Sequence, residues 1–343
     1  MKKELQNNKD NPQGELKTKK SLRVLITAVG STNALCIIKG LKKQQDYDVY
    51  IVGTDTNEKS NTAGSAFCDS FYEVPPATES ENYINAIQEI ITRESIDLLV
   101  PILNVELETI AKKRKSIEKS TYLLLSSYKT VTTCNDKLKT IKFLNEMGLP
   151  TLKTIKVDGT KNLENLLVES GITFPFFAKP RKGSGSINVY EILNKEELGL
   201  IKRIKDPIIQ EKGMGQEYTI DVFCDGKKMV TAVPRLRIET KSGISYKGKT
   251  EKDDRLIEYA KIISEKLHIK GPANIQCFKK DDEIRFTEIN PRFSGGLSLT
   301  IESGVNTPLL ALKMAVGEEL KTTRNFRIVK MCRYWEEVFY SED

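Results

Sequence analysis

The sequence predicts a doubly wound α/β unit followed by an α+β region, and three observations predict it. From Leu22 to about residue 125, short unbroken apolar runs alternate with amphipathic stretches, as parallel strands buried on both faces by helices require. In the second half the apolar runs pair across turn signals, Asp225-Gly226 and Asp281-Asp282, as antiparallel hairpins do. At 343 residues the chain also exceeds the size at which one hydrophobic core stops growing, so two or three packed units are expected.

Residues 1–20 carry six lysines against three acids and almost no apolar side chain, which reads as a solvated basic tail. No apolar stretch follows those lysines as in a secretory signal. None later approaches the roughly 18 consecutive apolar residues of a membrane span. A cytoplasmic protein without a membrane partner is expected. Leu22 to Val29 reads as the first strand, ending at Gly30-Ser31 before a helix through Leu41. Strands at Tyr47–Val52 and Ile96–Ile102 follow. A helix from about Asn135 to Met147 stops at Gly148, ahead of Pro150. Strands are then expected at Leu152–Val157, Phe174–Lys179, Ile187–Ile192 and Pro207–Glu211, with helices near Lys161–Ser170 and Lys195–Lys205. Hairpins follow at Tyr218–Cys224 with Met229–Val233, and at Ala273–Lys279 with Glu283–Ile289.

Composition narrows the function. Hydrophobic residues at 39% and charged residues at 29% describe a globular chain, not a disordered one. The net charge of +7 suggests an anionic partner, but the surplus is dispersed and lacks the basic face with interleaved aromatics that nucleic acid needs, so none is expected. Six cysteines form no C-x-x-C pair, and His268 is the single histidine. Reduced thiols follow, and zinc sites and histidine-based triads are excluded.

Four stretches carry chemistry. Ala28–Asn33 is a strand-to-helix turn with one glycine, too few for a dinucleotide fingerprint, and reads as a structural turn. In Phe174–Ser186 an apolar strand delivers Lys179, and a loop with Arg181, Lys182, Gly183, Ser184, Gly185 and Ser186 follows. Bare backbone N–H groups, hydroxyls and cations suit a polyphosphate. The alternative is a solvated hairpin tip, which an unpaired cation at a buried strand end disfavours. In Thr287–Arg292 the strand period puts Glu288 and Asn290 on one face, both with hard oxygen donors suited to Mg²⁺. Gln276 on the preceding strand adds another such donor, and Arg292 a guanidinium for a phosphoryl or carboxylate group. A plain strand end with surface charges fits that stretch equally well. Gln210-Glu211 and Glu217 flank a glycine linker at which backbone groups can read an adenine edge while carboxylates accept from a ribose; in isolation it is a turn.

In this order and spacing the stretches, with Asn135-Asp136-Lys137, resemble the ATP-grasp superfamily, in the branch related to the large subunit of carbamoyl-phosphate synthetase. The resemblance covers about residues 22–317. It implies an ATP-grasp fold preceded by a Rossmann-like pre-ATP-grasp domain: a tail at 1–20, the first domain at 21–130, a lid subdomain at 131–211, a Mg²⁺-binding subdomain at 212–320 and an extension at 321–343. It implies that Lys137 and Lys179 contact ATP phosphates under the Arg181–Ser186 lid, that Gln210 and Glu211 hold the adenine, and that Glu217 holds the ribose. It implies further that Gln276, Glu288 and Asn290 ligate one or two Mg²⁺ ions, for which Mn²⁺ can substitute, and that Arg292 stabilises the transferring phosphoryl group. The implied reaction joins a small carboxylate to an amine or thiol through an acyl phosphate, releasing ADP and phosphate. Arg235 and Arg237, on one strand face, are expected to bind the substrate carboxylate or acyl phosphate, the alternative being a solvated basic edge. Carbamoyl-phosphate-type phosphorylation and a catalytically silent ATP-binding regulatory protein are the competing readings. Residues 321–343 either complete the sheet or mediate a homodimer.

Overall fold

A computed structural model describes residues 19–158, 163–183 and 185–341; most of the basic tail and Ser184 lie outside the described residues. The first unit is a parallel sheet of β1 (Lys20–Ile26), β2 (Tyr47–Asp55), β3 (Ser70–Glu73), β4 (Leu98–Val100) and β5 (Tyr122–Leu123), in the order β3-β2-β1-β4-β5. Around it lie α1 (Thr32–Lys43), α2 (Ser80–Arg93), α3 (Asn104–Lys112) and α4 (Arg114–Ile117). Alternation along β1 sends Leu22, Val24 and Ile26 into one core and Leu25 into the other, which is why the run is apolar throughout. Strand order reverses between β1 and β4, so a crevice opens beyond their carboxyl ends, where α/β sheets bind ligands.

The chain leaves this sheet through α5 (Tyr128–Cys134) and α6 (Lys137–Glu146). Asp136 starts α6 by accepting from the N–H groups of Leu138 and Lys139 at 3.1 and 3.2 Å. Next comes an antiparallel sheet of β6 (Thr154–Lys156), β7 (Phe176–Pro180), β8 (Tyr190–Ile192) and β9 (Pro207–Glu211), ordered β6-β9-β7-β8. Leu167 of α7 (Leu163–Ser170) packs on it, as does Ile201 of the segment Lys195–Arg203. That segment, expected as an ordinary helix, is a 3₁₀-helix. Gly199 in its middle weakens an α-helix.

The third sheet is antiparallel and six-stranded: β10 (Gln216–Asp225), β11 (Met229–Lys241), β12 (Ile244–Thr250), β13 (Lys270–Lys280), β14 (Glu283–Asn290) and β15 (Lys330–Cys332), ordered β14-β13-β10-β11-β12-β15. α8 (Asp254–Lys266) packs on β10 and β11 through Leu256, Ile257, Ala260 and Ile263. The last helices, α9 (Leu297–Glu302) and α10 (Thr307–Ala315), share a core with α1 and β1 through Leu297, Ile301, Ala311 and Leu312. The C-terminal segment completes the sheet, since β15 pairs with the β12 edge. No helix among the described residues is long and apolar enough to cross a membrane.

Candidate active site

A cavity of about 420 Å³ is lined by Asn33 and Asn104 from the first unit, Lys179 from the second sheet and Glu217, Arg237 and Glu288 from the third, among others. Lys179 reaches it because Ala178 beside it on β7 is buried in the core and alternate residues face the other way. Its Nζ donates to Gln210 Oε1 at 2.7 Å, so the cation at the strand end is partnered. Burial pulls its amine down to about 8, against the attraction of Glu288 and with the repulsion of Lys137. Lys137 opens α6; its Nζ donates to Gly183 O at 3.0 Å and its N–H to Arg181 O at 3.1 Å. Burial lowers its pKa too, against the pull of Glu288. Lys137 is thus bonded to the start of the glycine loop, of which Gly183, Gly185 and Ser186 line the cavity with both lysines.

On β14, Ile289 enters the core while Glu288 and Asn290 face the cavity. Across the ladder on β13, Gln276 stands opposite Glu288 and Asn274 opposite Asn290. Asn290 Nδ2 donates to Glu288 Oε1 at 3.1 Å and to Asn274 Oδ1 at 3.3 Å. Burial alone would raise the Glu288 pKa, but Lys137 and Lys179, then Asn290 and Arg292, bring it below the usual carboxylate range. The group stays ionised among cations. Arg292 Nε donates to Asn104 Oδ1 at 2.8 Å, and Asn104 Nδ2 approaches Asn290 Oδ1 at 3.4 Å. Asn274 and Asn104 were missed from the sequence. The first lies two residues before Gln276 on one strand, so the same period could have found it; the second is brought in by the fold alone.

Arg235 and Arg237 both line the cavity, but Arg235 is not a free cation. It is 2% exposed and grips Asp221 through Nε and Nη2 at 2.9 and 2.8 Å; Nη2 also donates to Ser294 Oγ at 2.8 Å. Thr300 Oγ1 donates to Asp221 at 2.5 Å. Gly296 is required here, because a Cβ would stand 2.0 Å from Arg235 Nη1. Arg237 pairs with Glu217 and donates to Gln276 Oε1 at 3.3 Å and to Gly243 O at 2.7 Å. Burial raises the Glu217 pKa, with Arg237 opposing.

Two residues expected at the nucleotide have side chains engaged elsewhere. Arg181 turns from the lid to Asp136, its Nε and Nη2 lying 2.8 and 2.6 Å from the carboxylate, and it does not line the cavity. Asp136, already buried at the start of α6, offers a better partner than solvent. Glu211 also points elsewhere: its Oε1 accepts from the Lys153 N–H at 2.8 Å and from Arg285 at 3.4 Å. Gln210 on the opposite face of β9 holds Lys179 and donates to Thr154 Oγ1 at 2.7 Å. Ser184 of the lid lies outside the described residues.

Residues 203–336 match the family described as "ATP-grasp in the biosynthetic pathway with Ter operon", and residues 24–124 match the PylC-like N-terminal domain. The chain carries an ATP-grasp domain preceded by a PylC-like N-terminal domain. Its curated relatives include the arginine-specific carbamoyl phosphate synthase large chain of Geobacillus stearothermophilus, 24% identical over 293 residues that make up 81% of this chain and 27% of the relative. The chain spans only 18–20% of the length of other carbamoyl phosphate synthase large chains that it matches. Among solved structures, the N5-carboxyaminoimidazole synthetase of Staphylococcus aureus, complexed with ADP, aligns with a TM-score of 0.71 at 16% identity, covering 91% of this chain and 81% of that one. The biotin carboxylase domain of the Hydrogenobacter thermophilus 2-oxoglutarate carboxylase, with MgADP and bicarbonate, gives 0.67 at 16% identity, covering 89% and 72%. These likenesses establish the fold: a pre-ATP-grasp domain followed by ATP-grasp.

Proposed function

We propose that this ATP-grasp protein is an ATP-dependent carboxylate–amine ligase that activates its acid as an acyl phosphate and releases ADP and phosphate. The observation that carries the reading is the ionised Glu288 facing Lys137, Lys179 and Arg292 in one cavity roofed by the glycine loop. Phosphoryl transfer needs charge neutralisation and alignment rather than a side-chain nucleophile, and the cations lining this cavity supply the neutralisation.

The donor set fits Mg²⁺. Glu288, Asn290 and Gln276 present hard oxygens, and the amide oxygens are engaged only by long hydrogen bonds of 3.3–3.4 Å. Mg²⁺ is commonly held by one or two protein carboxylates together with substrate phosphates, a mode that needs no more than these donors. Mg²⁺ there would neutralise phosphate charge and fix phosphate geometry. Lys137 and Lys179 hold the phosphates, and Gly183, Gly185 and Ser186 exclude water above them. Arg292, oriented by Asn104, faces the charge that develops on the transferring group. Arg237 carries a buried Nε without a partner among the described contacts and is the cation assigned to the acid; Arg235, already neutralised by Asp221, contributes its remaining edge. The bicarbonate bound with MgADP in the biotin carboxylase domain of similar fold supports chemistry on a small acid.

The test is ADP formation from pooled acids and amines, with mass detection of the product. The wild type is expected to turn over with at least one pair. Glu288→Ala is expected to lower that rate at least about a thousandfold while the melting temperature holds. Absence of ADP with every pool, or an active Glu288→Ala variant, overturns the reading.

A further inference from the structure

The stretch after α10 contributes more than an edge strand. β15 pairs with β12, and Arg333, the next residue, donates its N–H to Tyr246 O at 3.0 Å. Its guanidinium then turns inward. Nε donates to Ser245 O at 2.9 Å, while Nη2 donates to Gly295 O and lies 4.0 Å from Cys36 Sγ on α1. One planar fork thus joins β12, the loop ahead of α9 and the first unit. Ser245 and Gly295 both line the cavity.

That loop is also held by Asn33 Nδ2, which donates to Phe293 O at 2.9 Å, and by the Arg235–Ser294 hydrogen bond. Gly295 is so closely enclosed that a Cβ would stand 3.2 Å from both Asn33 Oδ1 and Ile244 Cγ2. Farther along, Tyr340 OH donates to Thr62 O at 3.1 Å and lies 2.7 Å from Ser65 Oγ. The chain end is therefore tied to both the cavity wall and the first unit. Ser294 of that wall is bonded to Arg235, which the reading above places at the acid, whereas Lys137, Lys179 and Glu288 make none of these contacts.

We propose that Arg333 is a positioning residue that fixes the Ser294–Gly296 wall as a preformed surface for the non-nucleotide substrates, a role that rests on the ligase reading above. Arg333 touches no reacting atom; it acts by holding the carbonyls of Ser245 and Gly295 in one geometry. Small displacements of such a wall cost turnover steeply.

The experiment compares wild type, Arg333→Ala and Arg333→Lys by ADP formation with an active acid–amine pair. In Arg333→Ala, KM for the acid or the amine is expected to rise about tenfold while KM for ATP and the melting temperature change little. Arg333→Lys keeps the charge but cannot span both carbonyls with a planar fork, so its KM is expected to remain near that of the alanine variant. Unchanged KM values, or a parallel rise in KM for ATP, overturn the proposal. Should the wild type form no ADP with any pair, the ligase reading falls and hydrogen exchange decides the positioning. Faster exchange of the Gly295 and Gly296 amides in Arg333→Ala, with unchanged MgADP affinity, upholds it; unchanged exchange overturns it.

Discussion

Nucleotide affinity should fall on the alkaline side, and Lys179 sets where. Burial holds its amine near 8, against an unperturbed value near 10.4. A phosphate placed against Nζ restores the charged form, so binding takes up a proton wherever the free protein has lost it. Below pH 7 the lysine is already charged and affinity is flat. Above pH 8 each further unit costs up to about tenfold, or about 1.4 kcal/mol, until the pKa of the bound state is reached. Between pH 7 and pH 9 the Kd of MgADP should therefore rise about tenfold. A phosphate monoester loses its last proton near pH 6, so the ligand's own titration lies outside this window. The assay is titration calorimetry in two buffers of different ionisation enthalpy, which should register uptake of about half a proton per nucleotide at pH 8. Lys179→Met should bind more weakly and lose the slope, whereas Lys137→Met should keep most of it. A Kd constant within twofold from pH 7 to pH 9, with no buffer-dependent heat, would refute both the depressed amine and its contact with phosphate.

Three further outcomes follow from named contacts. Asp221→Ala leaves the Arg235 guanidinium buried without its bidentate partner and should cost about 3–5 kcal/mol in urea unfolding; a loss under 1 kcal/mol would mean that Arg235 is not held as described. Gly64→Ala places a Cβ 1.8 Å from the Val29 carbonyl oxygen, a backbone atom that cannot swing aside, and should destabilise by at least about 1–3 kcal/mol, read as a lowered melting temperature. Arg181→Ala removes the charge-assisted pair with Asp136 and should lower stability by about 1.5–3 kcal/mol while MgADP affinity stays within twofold, the reverse of what a phosphate-gripping lid arginine would show.

What could be read from the sequence was chemistry carried by neighbours on one strand. Glu288 and Asn290 share a face by the two-residue period, and Lys179 follows an apolar run that has to be buried. What could not be read was which charge neutralises which. Arg181 and Lys179 stand two apart at the same strand end, yet one meets a buried N-cap carboxylate 45 residues upstream and the other an amide on the adjoining strand. Gln210 and Glu211, read as one unit, are split by the same period that unites Glu288 with Asn290: only one of two consecutive strand residues can face inward.

Register is the missing information, because it decides whether a cation is consumed by the scaffold or left for a ligand. Asp221 and Arg235 satisfy each other because β10 turns back on β11 with Asp221 opposite Val233 and Thr219 opposite Arg235, which makes the ion pair diagonal neighbours. Arg237, one period farther, meets Glu217 and Gln276 instead, both of them cavity-lining side chains. Of two arginines indistinguishable in sequence, the fold spends one on holding β11 to the loop of Ser294 and leaves the other among the groups that the nucleotide and its metal would engage. On the proposed reading, Arg237 is therefore the arginine whose partners would rearrange when the cavity fills.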